Sequence, residues 1–168
     1  MDIIRCITSC IRRFFDYLVR ESNPVNPNEY LLRRVPIINN GGYVDLKLEQ
    51  PVSEHAFMPR PITDVKGISI NREFFIKANE LAQLVKTKNN KDCYIIRFKT
   101  EDILTLSPAL SAIPHPLICW PGHALIPEIN RVLYESNKSN KLACKDMQRK
   151  LAKLIKKEDI VYIPEQNR

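Results

Sequence analysis

No apolar run in this 168-residue chain approaches the roughly 18–20 residues that a membrane-spanning helix requires. The start, Met1-Asp2-Ile3-Ile4-Arg5, lacks the small-residue cleavage pattern of a secretory signal. Cysteine is sparse and unpatterned: Cys6, Cys10, Cys93, Cys119 and Cys144 make an odd count without framework spacing. That argues against a disulfide scaffold and for free thiols in a reducing compartment, so a cytoplasmic protein is expected. Repeats, low-complexity tracts and a Gly-x-Ser-x-Gly nucleophile turn are also missing. No catalytic motif stands out.

What remains is a globular composition, 44% hydrophobic and 27% charged, of a length suited to one domain. The net charge of +7 is localised. Between residues 138 and 157, Lys138, Lys141, Lys145, Arg149, Lys150, Lys153, Lys156 and Lys157 face only Asp146, so this stretch equals the charge of the whole chain. Any acidic partner is expected there first.

Residues 2–20 repeat apolar side chains at helical spacing, with Ile3, Ile7, Ile11, Phe14, Phe15 and Leu18 on one stripe. The pattern predicts an amphipathic helix, followed by a Pro/Asn linker over 21–29 and a single domain over 30–168. Packing on its own domain is the first expectation for that stripe, docking on a protein partner the second, and membrane association the last. Tyr30 to Val35 reads as a strand, and Asn39-Asn40-Gly41-Gly42 as a turn leading into an alternating strand over 43–48. Residues 49–66 read as an ordered loop and 67–70 as a short strand. Asn71 is the expected cap of a helix over 72–86 that buries Phe74, Phe75, Leu81 and Val85. A strand over 92–98 is the clearest in the chain, and Thr100 should cap a short turn after it. A short strand is expected at Leu117-Ile118-Cys119, extended chain over 123–126, and a helix from Pro127 to about Glu135. The last helix, over 140–157, should bury Leu142, Met147, Leu151, Leu154 and Ile155 before a final strand over 160–163. The expected fold is therefore α/β of the α+β type, a mixed or antiparallel sheet flanked by three to four helices.

Several short blocks then stand out: Leu32-Arg33-Arg34, Ser53-Glu54-His55-Ala56-Phe57, Gly67-Ile68-Ser69-Ile70-Asn71-Arg72, Tyr94 to Phe98, and Pro121-Gly122-His123-Ala124. In this order they resemble a small prokaryotic family of uncharacterised proteins, over residues 30–126. Many of its members carry Asp at the position of Asn71. The resemblance implies no activity, and it hints at multi-component bacterial conflict and antiviral defence systems.

The candidate polar set is Arg33, Arg34, Ser53, Ser69, Asn71, Arg72 and His123. An arginine can hold a dinucleotide's phosphates by bidentate bonds, and Glu101 or Asp102 could offer a carboxylate near a ribose. The structural alternative, preferred here, pairs the arginines with acids and uses both serines to tie down the long loop. His123 reads either as a general base or, preferably, as a buried histidine bonded to backbone carbonyls. His115, Cys119 and His123 are four apart, but Pro114, Pro116 and Pro121 prevent the helix that would align them, so no metal is expected. No cofactor is expected either. The basic stretch suggests weak, sequence-independent contact with nucleic acid, or simply a solvated face. The expected function is a non-catalytic accessory or interaction module of a larger assembly with a protein partner. The alternatives are a diverged nucleotide- or NAD-handling enzyme and a nucleic-acid-binding protein.

Overall fold

The computed structural model describes residues 24–37, 42–89, 91–115, 117 and 122–164. The stripe from Ile3 to Leu18 lies outside these residues, as does Cys119. Six strands, β1 (Tyr30–Pro36), β2 (Ile68–Arg72), β3 (Cys93–Lys99), β4 (Ile113–Pro114), β5 (His123–Ile126) and β6 (Ile160–Tyr162), form one sheet in the order β4-β5-β2-β1-β3-β6. Every neighbouring pair is antiparallel. Among the described residues four helices, α1 (Ala78–Asn89), α2 (Thr100–Leu106), α3 (Arg131–Ser136) and α4 (Lys138–Leu154), join the sheet in an α+β fold.

The two-residue period of the strands assigns each face its layer. Leu31 and Val35 of β1 join Ile68, Ile70, Tyr94, Ile96, Ala124 and Ile126 in the larger core, which α4 closes with Leu151, Ala152 and Ile155. The alternate residues, Leu32, Cys93 and Ile95, pack against Leu81, Ala82 and Val85 of α1 on the opposite face. Full burial of each large aliphatic side chain contributes about 1.5–3 kcal/mol. Gln50 donates to the carbonyl of Ala152 at 2.6 Å, which also accepts the amide of Ile155 at 3.1 Å, and so ties the end of α4 to the loop.

Several expectations need correction. Tyr43–Leu48 does not pair with β1 as a strand following a tight turn would: β1 pairs with β3 along its whole length and with β2 at its start, and Val44 makes only an isolated bridge with Val52. Asn71 does not cap a helix, because the strand continues through it, paired with His123, and the amide of Arg72 still reaches the carbonyl of Gly122 at 2.8 Å. The helix starts only at Ala78, leaving Phe74 77% exposed. Thr100 lies inside α2 and sends its hydroxyl to the carbonyl of Glu29. Pro127 does not open α3; Asn130 does, accepting from the amide of Leu133 at 2.8 Å. The short strand before β5 is Ile113–Pro114, with Ile118 and Cys119 outside the described residues. Leu142 of α4 is 58% exposed while Cys144 and Gln148 are buried. The buried stripe runs through 144, 148, 151, 152 and 155, and Leu142, two residues from Cys144, lies about 200° around the helix.

The described part of the expected linker, residues 24–29, is tied to the domain. Glu29 takes Arg72 in a two-pronged ion pair, both distances 2.7 Å, and the amide of Glu101 reaches the carbonyl of Pro27. Between the long loop and β2, Gly67 presses against β5, and a Cβ there would stand 2.8 Å from both the carbonyl oxygen of Ile126 and the Cα of Pro127. Replacing Gly67 with alanine must push these backbones apart. We expect a loss of about 1–3 kcal/mol in urea unfolding, and an unchanged midpoint would show that β5 can yield.

Candidate functional site

The β1–β2 ladder is short. Leu31 pairs with Arg72 and Leu32 with Asn71, and no pair follows. Beyond that point Arg33 enters the gap, wholly buried, and its side chain bonds one carbonyl of β2 and two of the loop before it. Nη1 donates to the carbonyl of Ser69 at 2.7 Å and Nε to that of Ala56 at 3.1 Å, while Nη2 reaches the carbonyl of Met58 at 3.5 Å. Asp64, equally buried, forms an ion pair with Arg33 at 3.7 Å. Its carboxylate also accepts the amide and hydroxyl of Ser69, the hydroxyl of Thr63 and the amide of Arg60. Although burial opposes ionisation, Arg33 and these donors hold the Asp64 carboxyl below its usual range. Burial, reinforced by Arg60, pulls the Arg33 guanidinium down to about 9 against the pull of Asp64, so it remains charged at neutral pH.

Arg34 points to the other face. With Arg60 and Lys66 it lines a cavity of about 460 Å³ between the sheet and α1. Ser69, Asn71, His115 and His123 supply its polar wall, and Val65, Leu81, Leu117 and Leu125 its apolar one. Alternation places Ser69 and Asn71 of β2 on the same side as His123 and Leu125 of β5, which are their register partners in crossed order. Among the described residues no carboxylate lines this cavity. Arg60 spends Nη2 on the carbonyl of Arg34 at 3.0 Å. The Arg34 guanidinium has no hydrogen-bond partner among the described residues. Its pKa is lowered, first by burial and then by the charge of Arg60. Asp64 is thus neutralised by Arg33 and Arg60, while Arg34, on the other face and beside Arg60, adds a positive charge with little compensation.

His123 bonds through Nδ1 to the carbonyl of His115 at 2.8 Å, and the His115 amide returns a bond to the carbonyl of His123 at 3.0 Å. That contact assigns the His123 proton to Nδ1, as a carbonyl can only accept. The two rings stand edge to face, with their Nδ1 atoms 3.4 Å apart. Burial lowers the pKa of His123, with His115 adding repulsion.

The expected polar set therefore divides. Arg34, Ser69, Asn71 and His123 share the cavity. Arg33 is a structural ion on the other side of β1, and Arg72 is bound to Glu29 with its guanidinium 4.8 Å from the Phe75 ring centre. Ser53 lies in the layer under α4, its hydroxyl buried and without a described partner. Arg60 and Lys66 were invisible as site residues, because they sit in a proline-rich loop with no spacing relation to the strands. The basic residues of α4 and the following turn are largely on its solvent side. Arg149 binds Glu54 at 3.0 Å and Lys150 binds Asp146 at 2.8 Å. Lys138, Lys141, Lys145, Lys153, Lys156 and Lys157 have no ion pair among the described residues, and Lys141 stands 5.3 Å from the Tyr134 ring centre.

The two adjacent arginines should behave oppositely when replaced. Arg33→Met strands Asp64 and three carbonyls, and should cost about 3–5 kcal/mol in chemical denaturation. Arg34→Gln breaks no described bond and should cost under about 0.5 kcal/mol; equal losses would refute this division of labour. The imidazole of His123 should titrate below the ordinary histidine value of about 6.5, readable by NMR against His55 and His115. Because its folded pKa is depressed, the unfolded chain binds more protons between that pKa and the ordinary value of about 6.5. Its contribution should thus be complete above pH of about 6.5 and diminish as pH falls toward the folded pKa. A raised His123 midpoint would reverse the sign. Comparison of the chain with family models, with curated proteins and with solved structures finds no match to any of them.

Proposed function

We propose that this domain is a non-catalytic binding module whose cavity receives a small phosphate-bearing anion, acting as an accessory part of a larger assembly. The observation that carries the reading is the cavity of about 460 Å³ lined by Arg34, Arg60 and Lys66 without a described carboxylate. The charge of Arg60 opposes that of Arg34 in the same half-buried wall, and an oxyanion beside both relieves that repulsion. Arginine's planar fork matches phosphate oxygens in pairs. Apolar walls around a few convergent polar groups are the ordinary make-up of a small-molecule site.

Binding is favoured over turnover by the state of the hydroxyl and carboxylate nearest the cavity. Ser69 donates its hydroxyl to Asp64 at 2.8 Å. Asp64 is a weak base, with its carboxyl held low by Arg33 and the surrounding donors. Nothing there draws the proton from Ser69 toward a neutral acceptor. The apolar stripe of Ile3, Ile7, Ile11, Phe14, Phe15 and Leu18 supplies a sequence suited to docking on a protein partner.

The test is calorimetric titration of the full chain with inorganic pyrophosphate and with AMP, followed by the same titrations on Arg34→Gln. A charge-assisted hydrogen bond contributes about 1.5–3 kcal/mol, so affinity should fall roughly ten- to a hundredfold while the melting temperature of the free protein stays put. Absence of binding to either anion, or binding indifferent to Arg34→Gln, would sink the proposal.

A further inference from the structure

Arg34 and Arg60 line a second cavity as well. This one, of about 360 Å³, lies further along β1 and is walled by Pro36, Val85, Lys91, Asp92 and Cys93. The two arginines are therefore the shared wall of two neighbouring hollows rather than the floor of one. From this juxtaposition we infer that the ligand is two-ended: a dinucleotide whose central pyrophosphate lies over Arg34 and Arg60, with one nucleoside in each hollow. The inference rests on the anion reading above and names the class of molecule that site takes.

Three features support it. The charge sits at the junction, where a dinucleotide carries its own charge, and a mononucleotide would leave one of the hollows unfilled. The larger hollow combines Val65, Leu81, Leu117 and Leu125 with the amide of Asn71 and the imidazole of His123, a setting for a flat heterocycle with hydrogen-bonding edges. The smaller one holds a carboxylate where a ribose would come: Asp92, 13% exposed and 3.4 Å from Lys86. Both hollows lie near the lower end of the roughly 300–1,000 Å³ of small-molecule pockets, so each suits one nucleoside and neither suits two.

The experiment compares AMP with diadenosine pyrophosphate and NAD+ by calorimetry on the full chain. The better dinucleotide should bind at least about tenfold more tightly than AMP. Lys91→Trp, at an exposed position, fills the smaller hollow and should bring that ratio close to one. Leu117→Trp, at a position 43% exposed, fills the larger hollow and should do the same. Circular dichroism melts verify that each variant is folded, and two variants at separate exposed sites guard against a local folding defect. A dinucleotide no tighter than AMP, or a ratio that survives both tryptophans, overturns the two-ended site. If AMP and pyrophosphate binding still depend on Arg34 in that case, the anion-binding reading stands alone. If no phosphate compound binds, both fall.

Discussion

Much of this fold depends on one buried charge, the guanidinium of Arg33, placed where two strands part. An antiparallel ladder that opens inside a core leaves carbonyls with neither a strand nor water to satisfy them, at a cost of roughly 1–3 kcal/mol for each lost partner. Arg33 answers this with a donor to Ser69 of β2, and holds the neighbouring loop through the carbonyls of Ala56 and Met58. Its charge requires Asp64, and Asp64 in turn organises what surrounds it. The carboxylate holds the turn from Arg60 to Asp64 and the backbone of Ser69, while the Asp64 carbonyl accepts the amide of Arg131 at the start of α3. The long loop, β2 and α3 are thus joined at a point that no hydrophobic pattern marks.

The same opening shapes the cavity. Because β1 and β2 stop pairing after Leu32 and Asn71, the loop that returns through Arg60 can bring its cation beside Arg34. On one face of β1 a charge is neutralised and sealed in. On the next residue, facing the other way, a charge is left beside a like charge and open space. Adjacent residues of identical type thereby take different physical roles. Strand alternation separates Arg33 from Arg34 more completely than any difference in chemistry could.

The strands expected over 30–35, 67–70 and 92–98 were legible, to within a residue or two at their ends, because apolar, β-rich segments bounded by turn residues have few other ways to fold. So was the existence of α4, whose apolar residues recur at helical intervals. Details that depended on partners were less readable. The alternation over 43–48 is real, yet β1 takes β2 and β3 as its partners instead, and a strand pattern does not name its neighbour. Leu142 looked like core because leucine commonly is. The phase of α4 is instead set by Cys144 and Gln148 against the loop, and polar Gln148 gave no sign of being buried. Asn71 carried the signature of a helix cap, but pairing with His123 kept it extended. Among candidate site residues, Arg34, Ser69, Asn71 and His123 were recognisable as polar groups on alternating strands. Arg60, Lys66 and Asp64 were not, since a loop has no periodicity from which direction can be read.

The sequence by itself determined the class of fold and the concentration of positive charge between Lys138 and Lys157. These are properties of composition and local period, which need no knowledge of what lies opposite. Tertiary structure alone decided which arginine is structural and which faces a cavity, and which acid serves as counter-ion. Those outcomes turn on pairings 31 residues apart between Arg33 and Asp64 and 26 apart between Arg34 and Arg60. The reason is physical: local pattern orients a side chain toward a face, but desolvation and the charges waiting on that face decide what the side chain does there.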